Sequence, residues 1–110
     1  MAKGHVDPGK TMTYTNATAA AIEIGAVVVV GDIVGIALDS IPVGESKELA
    51  ICEQWEIPKE AALAISQGEK VYFDAANKVA NLTNANPYAG IAMLSAAATD
   101  NTVCVLINGR

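Results

Sequence analysis

The chain has 110 residues, enough for one domain with a modest core, and carries a net charge of −5 at pH 7 with a pI of about 4.6. Its seven Lys and Arg residues are dispersed, which argues against a nucleic-acid partner, because that affinity depends on cations that neutralise phosphates. Hydrophobic residues make up 52% of the chain but aromatic residues only 5%, so we expect a thin, Ala- and Val-rich core that gains stability from association.

The start of the chain predicts an extended arm, residues 1–10, ahead of a single β domain, residues 11–110. The arm contains Gly4, Pro8 and Gly9 and few apolar side chains that would hold it against a core. It also lacks the apolar run of a signal peptide, so we expect a soluble protein that is made in a cytoplasm.

The first half of the domain predicts short strands joined by tight turns. Thr11–Thr15 alternates polar and apolar side chains, as a half-buried strand does. Val27–Val30 and Ile33–Leu38 are β runs on either side of Gly31-Asp32, a hairpin signal, and four consecutive valines indicate a strand covered on both faces. The most apolar stretch, Gly25–Leu38, is too short to span a bilayer, so no membrane partner is expected.

The second half predicts one helix among further strands. Ala50–Ile57 is a predicted strand that Pro58 ends, and the Ala- and Leu-rich run Lys59–Gln67 predicts a short helix with its exit at Gly68. Further strands are predicted at Val71–Phe73, Tyr88–Leu94 and Thr102–Ile107. The sequence therefore predicts an all-β fold, a small barrel or sandwich of short strands with one short helix and an extended N-terminal arm.

Two further features bear on this fold. The only Trp and the only Phe, Trp55 and Phe73, lie in the central block and are expected to anchor the core. The segment Gly35–Leu38 (GIAL) recurs as Gly90–Met93 (GIAM), which favours two similar β-hairpins in one sheet or barrel, although so short a repeat also arises by chance.

One motif matches a nucleotide-binding pattern in the wrong context. Gly4–Thr11 fits the phosphate-loop pattern G-x-x-x-x-G-K-[ST], but that chemistry needs a strand before the loop and a helix after it. Here only three residues precede Gly4, Pro8 removes one cradling amide, and an alternating strand pattern follows Lys10. Nucleotide binding is therefore not expected.

No other residues form a recognisable active site. Cys52 and Cys104 lie in apolar runs and are expected to be reduced core thiols, with a disulfide as the alternative. Two Cys and the single His5 do not provide the spacing of a zinc site, and no Ser lies in a nucleophile elbow. We expect no enzyme activity, no metal and no cofactor.

Several short motifs, taken in order, resemble those of one family. They are Pro8-Gly9-Lys10-Thr11, the run Val29–Ala37 (VVGDIVGIA), Glu56–Lys59 (EIPK), Gln67–Asp74 (QGEKVYFD), Gly90–Ala92 (GIA) and Val105–Gly109 (VLING). The chain resembles, over nearly its whole length, the small capsid cement, or decoration, proteins of tailed bacteriophages.

This resemblance implies a β-rich homotrimer on the outer surface of an expanded phage head. Such a protein would bind the major capsid protein where capsomers meet, hold neighbouring capsomers together, and be made in the cytoplasm of the bacterial host. The family offers no catalytic residues. Related decoration proteins often dock an N-terminal arm on the capsid protein by strand addition, which here implies capsid contacts by Ala2, Lys3, Gly4, His5, Val6, Asp7, Pro8, Gly9, Lys10 and Thr11.

An alternative reading is a free-standing binding module. A small β-barrel with Trp55, Tyr72 and Tyr88 on one face would offer a platform for a peptide or a sugar. The same aromatic side chains also serve as ordinary core residues, and the sequence leaves the two roles open.

Overall fold

A computed structural model describes residues 10–109, and within this range the chain forms β-strands and no helix. The predicted all-β class is therefore confirmed. The strands are β1 Thr11–Thr15, β2 Val27–Val30, β3 Ile33–Ala37, β4 Ser46–Ala50, β5 Gln54–Pro58, β6 Lys70–Asp74, β7 Val79–Asn81, β8 Tyr88–Ala92 and β9 Thr102–Ile107.

The strands form two sheets, and neighbouring strands within each sheet are antiparallel. The first sheet has the order β1-β4-β3-β2 and the second the order β5-β9-β8-β6-β7. Neither sheet closes on itself, so the predicted barrel is not formed and the architecture is two open sheets that share a core. Consequently the first sheet keeps two open edges, β1 and β2.

The main core lies between the two sheets. The first sheet contributes Val34, Ile36 and Ala50, and Val27 and Val29 of β2 pack against them. The second sheet contributes buried side chains from each of its five strands: Ile57, Val71, Phe73, Ala80, Ala89, Ala92, Val103, Val105 and Ile107. Most of these side chains are small, as the composition predicts.

A second, smaller cluster covers the other face of the first sheet. It consists of Val28, Ala37, Ile41 and Leu49, with Met12, Tyr14, Ile22 and Val30 packed against it. Successive valines of β2 therefore face opposite clusters, because side chains alternate along a strand. The prediction that the four valines form a strand covered on both faces is confirmed.

The two aromatic anchors both reach the main core. Phe73 is only 3% exposed, and Trp55 is half-buried against the same cluster. The indole Nε1–H of Trp55 donates to the carbonyl oxygen of Cys52 at 2.8 Å. This bond satisfies the polar end of a largely apolar side chain.

The predicted helix over Lys59–Gln67 is wrong. Lys59 is only 5% exposed, and its ammonium donates to the carbonyl oxygens of Glu60 and Leu63. The backbone N–H of Glu60 bonds to Ala80, Ile65 pairs with Ala96, and Ala62 has a positive φ. Backbone groups that bond to distant strands are not available for i to i+4 bonds, so the helix propensity of Ala and Leu is overridden.

The predicted strand Ala50–Ile57 is two strands that belong to different sheets. The chain leaves the first sheet after Ala50 and enters the second at Gln54. Between them Glu53 has φ +77°, a left-handed conformation that breaks the strand. Pro58 does not end a strand before a helix but is the last residue of β5, paired with Thr102.

The side chain of Asn108 joins the two sheets just after β9. Its Oδ1 accepts from the N–H of Val34 at 3.0 Å, and its Nδ2 donates to the carbonyl oxygens of Val34 and Ile51, each at 2.8 Å. Its own N–H donates to Ala89 at 2.7 Å. β4 ends before it reaches Val34, and the side chain of Asn108 makes the hydrogen bonds to β3 that a longer β4 would make.

Removal of this amide is expected to weaken the contact between the sheets. In Asn108→Gly the positive φ of +58° costs nothing, but three hydrogen bonds are lost and partly buried backbone groups lose their partners. We expect unfolding free energy to fall by about 2–4 kcal/mol, measured by urea denaturation.

The matched variant Asn108→Ala should be less stable than Asn108→Gly by a further 1 kcal/mol or so, because Ala resists a left-handed backbone. Stability of Asn108→Gly equal to that of the wild type would show that the amide is not what joins the sheets.

Candidate functional site

The predicted capsid-binding arm leaves the domain at one edge of the first sheet. Residues 2–9 lie outside the described residues. Lys10 directly precedes β1, and its carbonyl oxygen accepts from the N–H of Ile51 at 3.0 Å. Thr11 is the first residue of β1 and pairs with Ala50. The arm therefore leads into an edge strand, β1, which pairs with β4 on one side and with no strand of the sheet on the other.

The exposed face beside this edge is polar. The hydroxyls of Thr11 and Thr13 donate to the Glu48 carboxylate at 3.3 and 2.6 Å, and Thr15 and Ser46 share a hydrogen bond at 2.6 Å. These side chains form a row across β1 and β4. The row offers hydrogen-bonding groups and little apolar area to a partner.

The structure gives the phosphate-loop match no suitable context. The residues after Lys10 form β1, so the motif is followed by a strand and not by a helix. A phosphate loop needs that helix for its amides and its dipole.

A groove of about 690 Å³ runs along the open edge of β2. Val27–Val29 form one wall, the segment from Thr18 to Ala26 forms another, and Pro58 and Phe73 contribute apolar surface from the second sheet. Ala75 and Lys78, in the turn between β6 and β7, complete the lining. A volume of this size is typical of ligand sites and fits an extended peptide segment.

The groove is mainly apolar and carries little net charge. Two of its lining residues are charged, Glu23 and Lys78, and their charges are opposite. Ile24, which is 68% exposed, lies in the same segment between Glu23 and Gly25. An uncharged, partly apolar chain would be a suitable occupant.

The sequence did not identify this groove. The sequence of Ala17–Ala21 is ambiguous, because Ala favours helix but the run is short, and in the structure this run forms bends that lead to an isolated bridge between Ile22 and Ile41. Asn16, which is fully buried, fixes the segment, because its Nδ2 donates to Ala20 and Ile41 and its Oδ1 accepts from the N–H of Thr18. The valine run beside Gly31-Asp32 was the only available signal.

The three aromatic side chains of the alternative reading do not form one platform. Trp55 pairs with the fully buried Val105 and faces the core. Tyr72 lies between the buried Val71 and Phe73, so it faces the opposite side, where its ring meets Tyr88 edge-on at 5.8 Å. The sheet therefore separates the Trp from the two Tyr residues.

The thiols, the possible metal ligands and the hydrophobic segments of residues 10–109 are as follows. Cys52 and Cys104 are free and half-buried, in line with reduced thiols. Over the same range no group of three or more His, Cys, Asp or Glu lies close enough to hold a metal ion. Nor does this range contain a helix long and apolar enough to cross a bilayer. His5 lies outside the described residues.

Asp74, the last residue of β6, has a pKa below its ordinary value of 3.8. The main cause is the side-chain hydrogen bond from Asn77 Nδ2 at 2.8 Å, and the N–H groups of Asn77 and Ala76 add to it at 3.2 and 3.0 Å. The carboxylate thereby holds the turn that borders the groove.

The stability that this turn gains should depend on pH. Because the folded pKa is lowered, the contribution is full above the unfolded pKa of 3.8 and is lost as pH falls through the lowered folded value. Asp74→Ala should therefore be less stable than the wild type at neutral pH and equal to it in strong acid, by urea unfolding at each pH. Asp74→Asn also removes the titrating carboxyl, so its stability relative to the wild type should change with pH by the same amount, and a gap for Asp74→Ala that is constant with pH would contradict the assignment.

Comparison with known proteins gives one finding about the family. The family model described as phage cement protein matches residues 6–107, nearly the whole chain. No curated protein and no solved structure matches this chain.

Proposed function

The chain belongs to the phage cement protein family, and from this premise we propose that it binds the outer surface of an expanded phage head between capsomers and stabilises the head. The observation that carries the proposal is the family match over residues 6–107. Membership supports a structural role at the phage capsid, and an enzyme is not the expected class. The major capsid protein is the proposed partner.

The architecture supports a protein that works by attachment. The first sheet presents open edges at β1 and β2, and exposed strand edges pair readily with other chains. The core is built mainly from Val, Ile and Ala, and only one large aromatic ring, Phe73, is fully inside it. Such a thin domain gains stability from a large assembly.

We propose that the arm, residues 2–11, attaches to a sheet edge of the capsid protein as an added strand. The arm continues from β1, whose outer side has no partner in the sheet. Ordering a residue costs roughly 1–2 kcal/mol, whereas each new hydrogen bond contributes on the order of 1 kcal/mol. These two terms largely cancel, so one arm alone would bind weakly and several arms on one assembly would act through effective concentration.

We further propose that the protein is a homotrimer on the capsid. Large apolar side chains remain exposed at Ile24, Leu38, Val43 and Leu94, and burial in a subunit interface would remove them from water. A trimer would also match the three-fold symmetry of a point where three capsomers meet.

The arm proposal predicts that deletion of residues 2–9 leaves the fold intact and weakens capsid binding at least about tenfold, because the backbone groups for strand addition are lost. Co-sedimentation with undecorated expanded capsids measures the binding. Binding as tight as that of the full chain would place the contact on the β domain instead.

Lys10→Ala serves as the matched control. Lys10 contributes its backbone carbonyl to Ile51, which Ala preserves, so capsid binding should stay within about twofold of the wild type. A phosphate-loop lysine would be indispensable for nucleotide binding, and titration of the full chain with labelled ATP should show no saturable binding.

The trimer proposal predicts triangular density, one copy per corner, in a reconstruction of decorated capsids. Isolated single copies on the shell would contradict it. Leu94→Glu and Val43→Glu each place a charge at an exposed apolar position. The variant that no longer forms trimers on the shell identifies the face that lies in the subunit interface.

A further inference from the structure

The two sheets are copies of one arrangement. The order β1-β4-β3-β2 in the first sheet corresponds to β5-β9-β8-β6 in the second, strand for strand. β5 follows β1 at a displacement of 43 residues, as Thr11 and Gln54 show, and the same displacement relates Gly25 to Gly68. Both glycines have similar φ values, +84° and +88°.

The correspondence extends to individual hydrogen bonds. Gly25 N–H donates to Ala37 at 2.7 Å, and Gly68 N–H donates to Ala92 at 2.8 Å. The bridge Ile22 to Ile41 in the first copy matches the bridge Ile65 to Ala96 in the second, each with both backbone bonds formed. The chain therefore contains an internal repeat, in which the four strands β1, β2, β3 and β4 correspond to β5, β6, β8 and β9.

The repeat also explains the GIA segments noted in the sequence. A Cβ on Gly35 would lie 2.9 Å from the Cβ of Leu49, and a Cβ on Gly90 would overlap the carbonyl oxygen of Leu106 and lie 2.8 Å from Cγ1 of Val105. Leu49 of β4 and Val105 of β9 are equivalent in the two copies. The glycines recur because in each copy the neighbouring strand approaches the backbone too closely for a side chain.

The copies differ at one edge. In the second copy, the twelve-residue insertion after β6 forms β7, which pairs antiparallel with Tyr72, Phe73 and Asp74. In the first copy, Gly31-Asp32 leads straight from β2 into β3, and the groove lies along the edge of β2. The groove thus occupies the position that β7 fills in the second copy.

The backbone of β2 is oriented to accept such a strand. Val34 gives its N–H and its carbonyl to Asn108, on the side away from β2, so Val29 and Val34 form a non-hydrogen-bonded pair. Both backbone groups of Val29 therefore point to the open edge. Val29 is equivalent to Tyr72, which pairs with Asn81 of β7.

We propose that the edge of β2 binds an extended segment of the capsid protein as an antiparallel strand, in the place that β7 takes in the other copy. This inference rests on the proposed function and adds a second contact to the arm. The strand bonds to the outward backbone groups of Val27 and Val29 and lies over Phe73.

The internal equivalent indicates the chemistry of the occupant. β7 has the sequence Val79-Ala80-Asn81, and its central Ala80 is fully buried. The matching segment is therefore an uncharged strand with a small apolar residue at its centre. Glu23 and Lys78 at the groove carry opposite charges and favour neither a basic nor an acidic peptide.

The same features argue against a second copy of this chain as the occupant. The Thr18–Glu23 segment and the Ala75–Lys78 turn form the other walls of the groove, so it admits one strand but not the edge of a second sheet. The N-terminal segment of a neighbour contains Lys3, His5, Asp7 and Pro8, unlike the uncharged β7.

The test is co-sedimentation of two pairs of full-length variants with undecorated expanded capsids. Val29→Pro removes an outward N–H and leaves the bonds between β2 and β3 in place, and Glu56→Pro makes the matching change on the outer side of β5, an edge strand of the second sheet. Ala21→Trp fills the groove without changing any residue of a strand, and Ala19→Trp adds the same bulk in the same exposed segment at a residue that does not line the groove.

Val29→Pro and Ala21→Trp should each bind at least about tenfold more weakly, while both controls bind like the wild type and all four variants keep the wild-type thermal transition and oligomer mass. The groove-filling pair remains informative if the proline variants do not fold. Wild-type binding by Ala21→Trp, an equal loss with both members of a pair, or an altered oligomer mass would overturn the inference. Wild-type protein that fails to bind capsids would overturn the proposed function itself.

Discussion

The rest of the structure depends on one side chain, the amide of Asn108. It takes both backbone groups of Val34 and the carbonyl of Ile51, and so it replaces a strand where β4 ends and ties the second sheet to the first. The same bonds fix which backbone groups of β3 face β2. They therefore also determine that Val29 presents its N–H and carbonyl to the open edge. The hydrogen bonds of Asn108 thus both hold the two sheets together and leave the backbone of β2 open at its outer edge.

An internal repeat in which only one copy is completed gives the molecule its asymmetry. The second copy closes its edge with β7, and Glu60 donates to Ala80 to hold that strand in place. The first copy has no insertion and leaves a groove of about 690 Å³. Of the two equivalent edges, that of β6 is therefore paired within the chain, whereas that of β2 offers unpaired backbone, which is the property that strand addition requires.

Buried polar side chains organise the segments that enter each repeat. Asn16 follows β1 and Lys59 follows β5 at equivalent positions, and the backbone N–H of each bonds to the turn before β4 or β9, at Glu45 or Asn101. The side chain of Asn16 donates to the carbonyl of Ala20 in the loop that follows and to that of Ile41, and the side chain of Lys59 donates to two carbonyl groups of the loop that follows β5. Because a buried polar atom without a partner is costly, these side chains impose the loop path. That constraint explains why the Ala- and Leu-rich run after Pro58 is not helical.

The sequence alone determined the features that depend on local chemistry. Alternation predicted the strand Thr11–Thr15, and both this strand and the one predicted at Thr102–Ile107 have their observed ends. Gly31-Asp32 predicted the β2–β3 hairpin, and ordered motifs along the chain predicted the cement family. Tertiary structure decided what depends on distant partners. Lys59 has carbonyl acceptors that no window of sequence reveals, Glu53 directs the chain from one sheet to the other, and Gly35 and Gly90 are equivalent only because β4 and β9 crowd them alike. The groove could not be predicted from the sequence either, because it depends on which strands pair in the fold and on β2 having no neighbour on its outer side.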